Sequence, residues 1–389
     1  MTPDGHTAYL ASLLESIEKQ GLLQAPWMRD ALARAPRHRF FDQYVEDDKS
    51  IVVIAPDGPT DDQLRKIYTD NALLIRDGPD RSSCSMPSLV VGMLNLLEIR
   101  PGAKVLEIGT GTGWNAGLLA CGVGNPGLVY SVDNQPDLVE SAKRHLTAAG
   151  FPNVHLHAGD GGLGWPGAAP FDRIMVTAAA WNLPPAWGEQ LAEDGILLMP
   201  FHFAGAGDPL LLLRKQDGRL RGQFIMLTSF IPLRGTYGPD RMPDADPELW
   251  KLTSEQKAAT LRLLAEEPKR EMKVAIPDFA DLIFFMHAPN PICRYEWIQK
   301  GEEWHCVLHH GESGAIARNI YWEQRLELRG SEAGVNQLAS LIESWIAAGQ
   351  PKIQDYRVEV VDTPAAELQP GEWLERRPHG ILKISPPER

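Results

Sequence analysis

A short apolar strand runs directly into a glycine-rich turn and then a helix at residues 105–115, Val-Leu-Glu-Ile-Gly-Thr-Gly-Thr-Gly-Trp-Asn. Glycines at positions 109, 111 and 113 let the backbone turn tightly and let a ligand approach it closely. A dinucleotide fingerprint needs a glycine where Trp114 stands, and the sequence has no Gly-Lys-Ser/Thr of a P-loop. The remaining form, Glu-x-Gly-x-Gly-x-Gly, is used by enzymes that bind S-adenosylmethionine, with the acidic residue, Glu107, near the amino-acid end of the cofactor.

Strand-like and helical stretches alternate from about residue 104 onward. The runs KVLEIG, LVYSVD, NVHLHA, DRIMVT and GILLMP are separated by about 15 to 25 residues of helical or loop character. This alternation predicts a parallel sheet with helices packed on it, and continuous apolar strands suit burial on both faces. LLLLRK (210–215) and FIMLTSFIPL (224–233) predict an antiparallel hairpin at the end of this sheet. We therefore expect an α/β, Rossmann-like fold that is mostly parallel.

Acidic residues follow the second and third predicted strands. Asp133 lies 22 residues after Gly111, where a carboxylate can accept both ribose hydroxyls. Asp160, in the segment HAGDGG, is placed to contact the adenine ring. The predicted cofactor contacts are Glu107, Gly109, Thr110, Gly111, Gly113, Asp133, Asn134, Gly159, Asp160 and Gly161.

The chain of 389 residues is long enough for a principal domain and a substantial appendage. We divide it into an N-terminal helical cap (1–82), a cofactor-binding domain (83–238) and a C-terminal α+β domain (239–389) that recognises a peptide. The cap contains two short helices separated by Gly21 and Pro26. In the C-terminal part, Thr253 opens a helix with a capping box, and an amphipathic helix spans 331–349.

Composition excludes several classes of partner. The net charge of −13 repels nucleic acid and anionic membrane surfaces, and no apolar run is long enough to span a bilayer. Four cysteines without CxxC spacing fit free thiols in a reducing cytoplasm.

Six histidines and cysteines of the C-terminal part lie near one another in sequence and could suggest a zinc site. Their spacing is not that of zinc ligands, so we expect no metal site: His287, Cys293, His305, Cys306, His309 and His310. Four tryptophans there either line a peptide groove or, as we favour for most, pack in the core: Trp297, Trp304, Trp322 and Trp345.

A serine-rich segment lies upstream of the glycine turn. Pro87 suits the first position of a helix, which places Ser85 at or next to the N-cap. Ser85 is then a plain helix cap, or the unpaired N–H groups and positive end of the helix dipole bind a carboxylate beside it.

Seven segments in order resemble the protein-L-isoaspartate O-methyltransferase family: PRHRFF (36–41), YTDNALLI (68–75), SCSMPS (83–88), VLEIGTGTGWNAGLLA (105–120), GDGGLG (159–164), APFDRIMVTAAA (169–180) and FIPLRG (230–235). The resemblance implies a class I methyltransferase fold, S-adenosylmethionine as cofactor and a peptide or protein partner that carries Asp or isoAsp. It also implies that Ser85 is the active-site serine that contacts the acceptor carboxylate. Ser83 occupies the family's threonine position, and Thr177 lines the cleft.

The sequence departs from the family pattern around the acceptor. Arg81-Ser82 replaces the usual Gly-Gln, Pro200-Phe201-His202 replaces Pro-Val-Gly, and residues 46–66 look like an insertion. His202 either faces the acceptor or is an ordinary surface histidine. About 150 residues follow the family core. With this extension and its serine-rich acceptor segment, the chain resembles the actinobacterial methyltransferases associated with ribosomally made peptides.

We therefore expect methylation of an aspartyl side chain in a dedicated peptide, whose ester closes to an aspartimide. General repair of L-isoaspartyl residues is one alternative. A non-catalytic peptide-binding protein that retains the fold is another.

Overall fold

The structure, a computed structural model, describes residues 5–203, 207–239, 252–274, 279–287, 293–311, 313–363 and 366–387. The α-helices in these ranges are α1 Thr7–Lys19, α2 Pro26–Arg34, α3 Asp61–Ile67, α4 Pro87–Leu96, α5 Trp114–Val123, α6 Pro136–Ala148, α7 Pro185–Gln190, α8 Ser254–Leu263, α9 Phe279–His287 and α10 Glu332–Ala347. In the part of the chain described, no helix is long and apolar enough to cross a membrane.

The β-strands within the same ranges are β1 Gln43–Val45, β2 Ile51–Val53, β3 Leu73–Arg76, β4 Ser82–Cys84, β5 Lys104–Ile108, β6 Leu128–Asp133, β7 Val154–Ala158, β8 Phe171–Val176, β9 Leu191–Pro200, β10 Asp208–Gln216, β11 Arg219–Thr228, β12 Arg270–Lys273, β13 Cys293–Lys300, β14 Glu303–His310, β15 Ala315–Ile320, β16 Arg325–Arg329, β17 Arg357–Val361, β18 Trp373–Arg376 and β19 Ile381–Ser385.

A ten-stranded central sheet has the order β18-β19-β17-β11-β10-β9-β8-β5-β6-β7. Strands β7, β6, β5, β8 and β9 are parallel to their neighbours in this order, and β9 to β18 continue the sheet in antiparallel pairs. The predicted α/β fold and the β10–β11 hairpin are confirmed. The sheet does not end at that hairpin, because three strands from the end of the chain extend it.

Both faces of the parallel strands are buried. In β5, Val105 packs into one hydrophobic cluster, whereas Leu106 and Ile108 pack into the other. Successive side chains of a strand point to opposite faces, so an uninterrupted apolar strand needs a covering layer on each side. The predicted N-terminal helices α1 and α2 supply part of one layer, with Leu13 and Ile17 buried in the same cluster as Val105.

The C-terminal region contains a second, five-stranded antiparallel sheet with the order β12-β16-β15-β14-β13. The predicted helix over 331–349 is confirmed: the Ser331 hydroxyl accepts a hydrogen bond from Gly334 N, and Gly349 follows with a φ of 86°. The predicted capping box of Thr253 with Gln256 is also present.

The tryptophans of this region do not share one environment. Trp345 is buried, whereas Trp304 and Trp322 are 58% and 82% exposed. The side chain of Trp297 lies outside the described residues. The preference for core packing therefore holds for Trp345 and is wrong for Trp304 and Trp322.

The last three strands belong to the central sheet and not to the second one. Strand β17 pairs with β11, with Arg221 opposite Glu359, and β19 and β18 follow outside it. The division of the chain at residues 238 and 239 remains a prediction, but strands from both sides of it form one sheet.

Candidate active site

A cavity opens at the carboxyl ends of β5, β6 and β8, where ligands of open parallel sheets usually bind. It spans about 890 Å³ of space, part of which is open solvent. Three stretches of chain wall it: the glycine turn after β5, the serine-rich residues 81–85 and the loop 230–234. The structure therefore brings together the predicted cofactor and acceptor segments.

The glycine turn closely approaches the end of β8. Gly109 has a φ of 104°, and a Cβ atom added there would lie 2.3 Å from Thr177 Oγ1. The Thr177 hydroxyl donates towards the carbonyl oxygens of Ile108 and Gly109, at 3.0 and 2.9 Å. Gly111, with a φ of 50°, leaves the wall open opposite the Ser83 carbonyl. The backbone is bare at these two glycines, and side chains there would occupy the space beside it.

Gly113 lies where the glycine turn meets the helix α6. It precedes α5 with a φ of 83°, and an added Cβ would lie 3.0 Å from Ala142 Cβ on α6. It does not line the cavity. Its small size permits close packing of α5 and α6, and its predicted contact with the cofactor stays a prediction.

Asp133 ends β6 with its carboxylate at the cavity wall. Its two oxygens accept hydrogen bonds from Gly111 N at 2.9 Å and from Gln135 N at 3.1 Å. Burial raises the pKa of this carboxyl group, and the two backbone bonds oppose that rise. Because an ionised carboxylate has about four acceptor positions, two remain for the hydroxyls of a ribose. The geometry therefore fits the predicted role, and the exposed Asn134 beside it also lines the cavity.

Glu107 is not among the residues that line the cavity, and its predicted contact with the cofactor stays a prediction. It is fully buried beneath the turn and accepts hydrogen bonds from Ser131 Oγ at 2.5 Å and Asn115 Nδ2 at 2.6 Å. The Thr110 and Ser131 hydroxyls are 2.7 Å apart. Either hydroxyl can be the donor in this pair. Thr110 and Asn115 line the cavity and connect it to Glu107.

Burial raises the pKa of Glu107 from its ordinary 4.5 to about 7, against the opposing hydrogen bonds from Ser131 and Asn115. The unfolded chain releases this proton at lower pH than the folded one. We therefore expect the free energy of unfolding to fall by roughly 3 kcal/mol as the pH rises from about 4.5 to about 7, and then to level off. Urea titrations at several pH values should show this slope in the wild type and its loss in Glu107→Gln.

The exposed residue Glu302 provides the control for this prediction. Glu302→Gln should retain the wild-type slope. A Glu107→Gln variant whose stability still falls over the same pH interval would show that another group causes it.

Ser83 and Ser85 reach the cavity because of strand alternation. Strand β4 pairs with β3, and its last residue, Cys84, is buried in the core. Residues on either side of Cys84 point the other way. Ser85 stands just before the N-cap residue, Met86, of α4. Among the residues described, the hydroxyls of Ser83 and Ser85 have no hydrogen-bond partner, and both residues line the cavity.

The N-terminus of α4 already holds a carboxylate from the same chain. Asp70 Oδ1 accepts a hydrogen bond from Ser88 N at 2.8 Å, and Pro87 has no N–H to offer. One N–H group of this helix end is thus bonded to a carboxylate of the chain itself, and the binding of an acceptor carboxylate there stays a prediction. Asp70 is not recognisable as a cap from sequence, since 18 residues separate it from Ser88.

Arg37 fixes the serine-rich segment from behind. It is 1% exposed, and its guanidinium donates to the carbonyl oxygens of five residues: Ile67 at 2.6 Å, Thr69 at 3.2 Å, Asn71 at 3.0 Å, Cys84 at 3.2 Å and Ser85 at 2.9 Å. Sequence reasoning missed this role, because Arg37 is followed by His38 and Arg39 and nothing in PRHRFF distinguishes it from them. Through these bonds Arg37 positions the backbone that carries Ser85.

Comparisons with known proteins agree with this geometry. The family described as protein-L-isoaspartate(D-aspartate) O-methyltransferase (PCMT) matches residues 60–238. A protein-L-isoaspartate O-methyltransferase of Pyrococcus horikoshii is 34% identical over 227 residues, which cover 58% of this chain and 92% of the relative. The chain belongs to the protein-L-isoaspartate O-methyltransferase family.

Two further relatives show how the likeness is distributed. Protein-L-isoaspartate O-methyltransferase 1 of Archaeoglobus fulgidus is 41% identical over 171 residues, covering 44% of this chain and 76% of the relative. A solved structure of a protein-L-isoaspartate O-methyltransferase has a TM-score of 0.54 and 24% identity, and covers 90% of this chain and 96% of its own. This second likeness concerns the fold alone and extends beyond the residues that the family match covers.

Membership of the protein-L-isoaspartate O-methyltransferase family confirms the predicted enzyme class and cofactor. The protein is an S-adenosylmethionine-dependent carboxyl methyltransferase. Gly109, Gly111 and Asp133 form the part of the cavity whose shape and charge fit this cofactor. The individual contacts of the predicted cofactor residues remain predictions.

Besides Glu107 and Gly113, two further residues predicted to bind the cofactor are absent from the cavity wall, Asp160 and Gly159. Asp160 accepts hydrogen bonds from Gly162 N at 2.9 Å and from Thr236 N at 2.7 Å, and so holds the loop that contains Thr236. Gly159 precedes it and is also absent from the wall, whereas Gly161 lines it. Asp160 therefore shapes the site through the loop and is not placed by this structure against an adenine ring.

His202 neither faces the acceptor nor lies on the surface. It is buried, its Nδ1 is 2.7 Å from Asp208 Oδ1, and its ring stacks on Trp181. Burial lowers the pKa of His202 in spite of Asp208. Of the family departures predicted to border the acceptor, Arg81 and Ser82 line the cavity and residues 200–202 do not.

The C-terminal histidines and cysteines form no metal-binding cluster of three among the residues described. The side chains of His287 and Cys293 lie outside that part of the chain. The expectation of no metal site thus stays a prediction.

Proposed function

We propose that this enzyme methylates the free carboxylate of an L-isoaspartyl residue in a peptide or protein. One observation carries the proposal: a single cavity joins the glycine turn and Asp133 to the unpaired hydroxyls of Ser83 and Ser85. Relatives that the chain covers over nearly their whole length have the corresponding name.

The chemistry requires alignment more than proton transfer. S-adenosylmethionine supplies a methyl group that a carboxylate oxygen can take from the sulfonium sulfur, the carbon–sulfur bonding pair staying on sulfur. A carboxylate with an ordinary pKa of about 4 is ionised at neutral pH, so the protein needs no general base. Ser85 orients the acceptor, and the backbone of the glycine turn with Asp133 orients the donor. Good alignment can account for roughly 7–11 kcal/mol of the barrier.

The methyl ester then has an intramolecular route onward. The backbone nitrogen of the next residue attacks the ester carbonyl, its proton leaves with the methoxy group as methanol, and a succinimide forms. Mass spectrometry of a short L-isoaspartyl peptide with enzyme and cofactor should show the addition of one methyl group and then the loss of methanol. An unmodified peptide, with the cofactor shown by calorimetry to be bound, would contradict the proposal.

Replacing Ser85 with alanine should lower kcat by about 10- to 100-fold, because a hydrogen bond to an ionised group contributes roughly 1.5–3 kcal/mol. The dissociation constant of S-adenosylhomocysteine, measured by calorimetry, should change by less than about twofold. The substitution breaks no other hydrogen bond, since the Ser85 hydroxyl has no hydrogen-bond partner within the described residues.

Ser340, exposed on α10, offers a matched control: Ser340→Ala should leave both constants unchanged. Equal losses of turnover and cofactor affinity in Ser85→Ala would assign Ser85 to the cofactor side of the cavity.

A second candidate is methylation of an ordinary aspartyl side chain in a dedicated, ribosomally made peptide, leading to an aspartimide. It is favoured by Arg81 and Ser82, which line the cavity where the family usually has Gly-Gln. The C-terminal extension does not favour it, because a solved protein-L-isoaspartate O-methyltransferase has a fold that covers 90% of this chain.

Substrate breadth separates the two candidates. The first predicts methylation of unrelated short L-isoaspartyl peptides and indifference to their aspartyl counterparts. The second predicts indifference to both sets and methylation of one aspartate in a peptide encoded beside the enzyme, which identifying the neighbouring genes would supply.

A further inference from the structure

The charged residues around the cavity are unlike those of the chain as a whole. The protein has a net charge of −13, yet the charged residues that line the cavity are Arg81, Arg234 and Asp133. Asp133 is bonded to the glycine turn and fits a ribose. Of the two cations, Arg81 also lies 3.9 Å from Asp77, and the Ser88 N–H at the α4 N-terminus is already bonded to Asp70. An anionic ligand fits this part of the cavity.

Arg234 has hydrogen-bonding capacity left over. Its Nη2 donates to Pro79 O at 2.9 Å and to Arg81 O at 3.0 Å, which fixes the guanidinium against the 79–81 loop. Its Nε is buried and, within the described residues, has no hydrogen-bond partner. A guanidinium has five N–H donors, and the two bonds to carbonyl oxygens use only those of Nη2.

The loop that carries Arg234 is itself held in place. Asp160 accepts from Thr236 N, and Gly235 has a φ of 106° with an added Cβ only 2.5 Å from Asp160 Oδ1. A side chain at Gly235 would therefore displace the loop. Arg234 is presented to the cavity by a constrained turn, which reduces the entropy lost when it binds a ligand.

We propose that Arg234 recognises the acceptor carboxylate, as a specificity-determining residue of the cavity; this rests on the proposed function. The guanidinium binds one carboxylate oxygen and the other oxygen stays available for methyl transfer. Guanidinium–carboxylate contacts are among the stronger hydrogen bonds in proteins. Ser85, from a different wall of the cavity, then orients the same group. The carboxylate of the cofactor's amino-acid end is the competing ligand, and the experiment separates the two.

The test compares two probes: a short peptide with one L-isoaspartyl residue, and the same peptide with its acceptor carboxylate converted to an amide. Binding of each is measured by calorimetry with S-adenosylhomocysteine present. The wild type should prefer the carboxylate peptide by about 10- to 100-fold. Arg234→Gln should reduce this preference to less than about threefold, while the affinity for S-adenosylhomocysteine changes by less than about threefold. Arg262→Gln, which removes an exposed arginine from α8, should keep the wild-type preference.

Three outcomes would overturn the assignment. A preference that survives Arg234→Gln overturns the role of Arg234 alone. A loss of S-adenosylhomocysteine affinity with the peptide preference intact assigns Arg234 to the cofactor. A wild type that does not discriminate between the peptides overturns the proposed function as well.

Salt supplies a measurement that does not depend on a variant. The wild-type preference should weaken between about 0.05 and about 0.5 M NaCl, because mobile ions screen a charge pair in a solvent-connected cavity. A preference that is independent of salt contradicts recognition by Arg234.

Discussion

Replacing Arg37 with methionine is expected to lower the free energy of unfolding by about 3–5 kcal/mol. Methionine fills a similar length but leaves five buried or half-buried carbonyl oxygens without their donor. Each unsatisfied group costs roughly 1–3 kcal/mol, and some will be reached by water. Urea unfolding measures the loss. Because two of the five carbonyls belong to Cys84 and Ser85, methyl transfer should be lost under conditions in which the variant remains folded.

Arg37→Lys keeps the positive charge at this position and removes the forked arrangement of guanidinium donors, so it separates the two contributions to stability. An ammonium has three donors at one point, so it cannot serve carbonyls spread over residues 67–85. We expect it to recover less than half of the lost stability. Arg29→Met is the control, since Arg29 only forms an exposed pair with Glu18 at 2.6 Å and should cost less than about 1 kcal/mol. Equal effects of Arg29→Met and Arg37→Met would contradict a special role for Arg37.

Replacing Asp133 with asparagine is expected to weaken binding of S-adenosylhomocysteine by about 100-fold or more. The carboxylate accepts from two backbone N–H groups, and it has to accept from the ribose as well. Asparagine offers one oxygen and turns its NH₂ group towards one of those N–H donors. Each lost hydrogen bond to an ionised acceptor is worth roughly 1.5–3 kcal/mol. Calorimetry gives the dissociation constant directly.

Asp137, the second residue of α6, provides the comparison. It is exposed, pairs with Arg76 and does not line the cofactor cavity. Asp137→Asn should change the dissociation constant by less than about threefold. Should Asp133→Asn bind S-adenosylhomocysteine as tightly as the wild type does, Asp133 would not be the ribose partner.

Local patterns predicted most of the catalytic fold. The strand, glycine turn and helix at 105–115 are consecutive in sequence, so their geometry depends on neighbours alone. The same holds for Asp133 at the end of a strand. These features could be assigned because backbone sterics and a period of two residues determine them.

Distant contacts were not predictable in this way. The carboxylate that caps α4 comes from Asp70, and the guanidinium behind Ser85 comes from Arg37. Glu107 has the predicted motif position, but its burial beneath the turn depends on Ser131 and Asn115 from other elements. No periodicity records such pairings, since they arise only when the layers pack.

The extension of the central sheet by the last strands has a consequence for synthesis. Strand β11 acquires its outer neighbour only when residues 357–361 have left the ribosome, more than a hundred positions later. Until then its edge is an open template for another polypeptide. A chain that stopped after the catalytic motifs would therefore contain every reactive group and still leave this edge unpaired, open to association with a second copy.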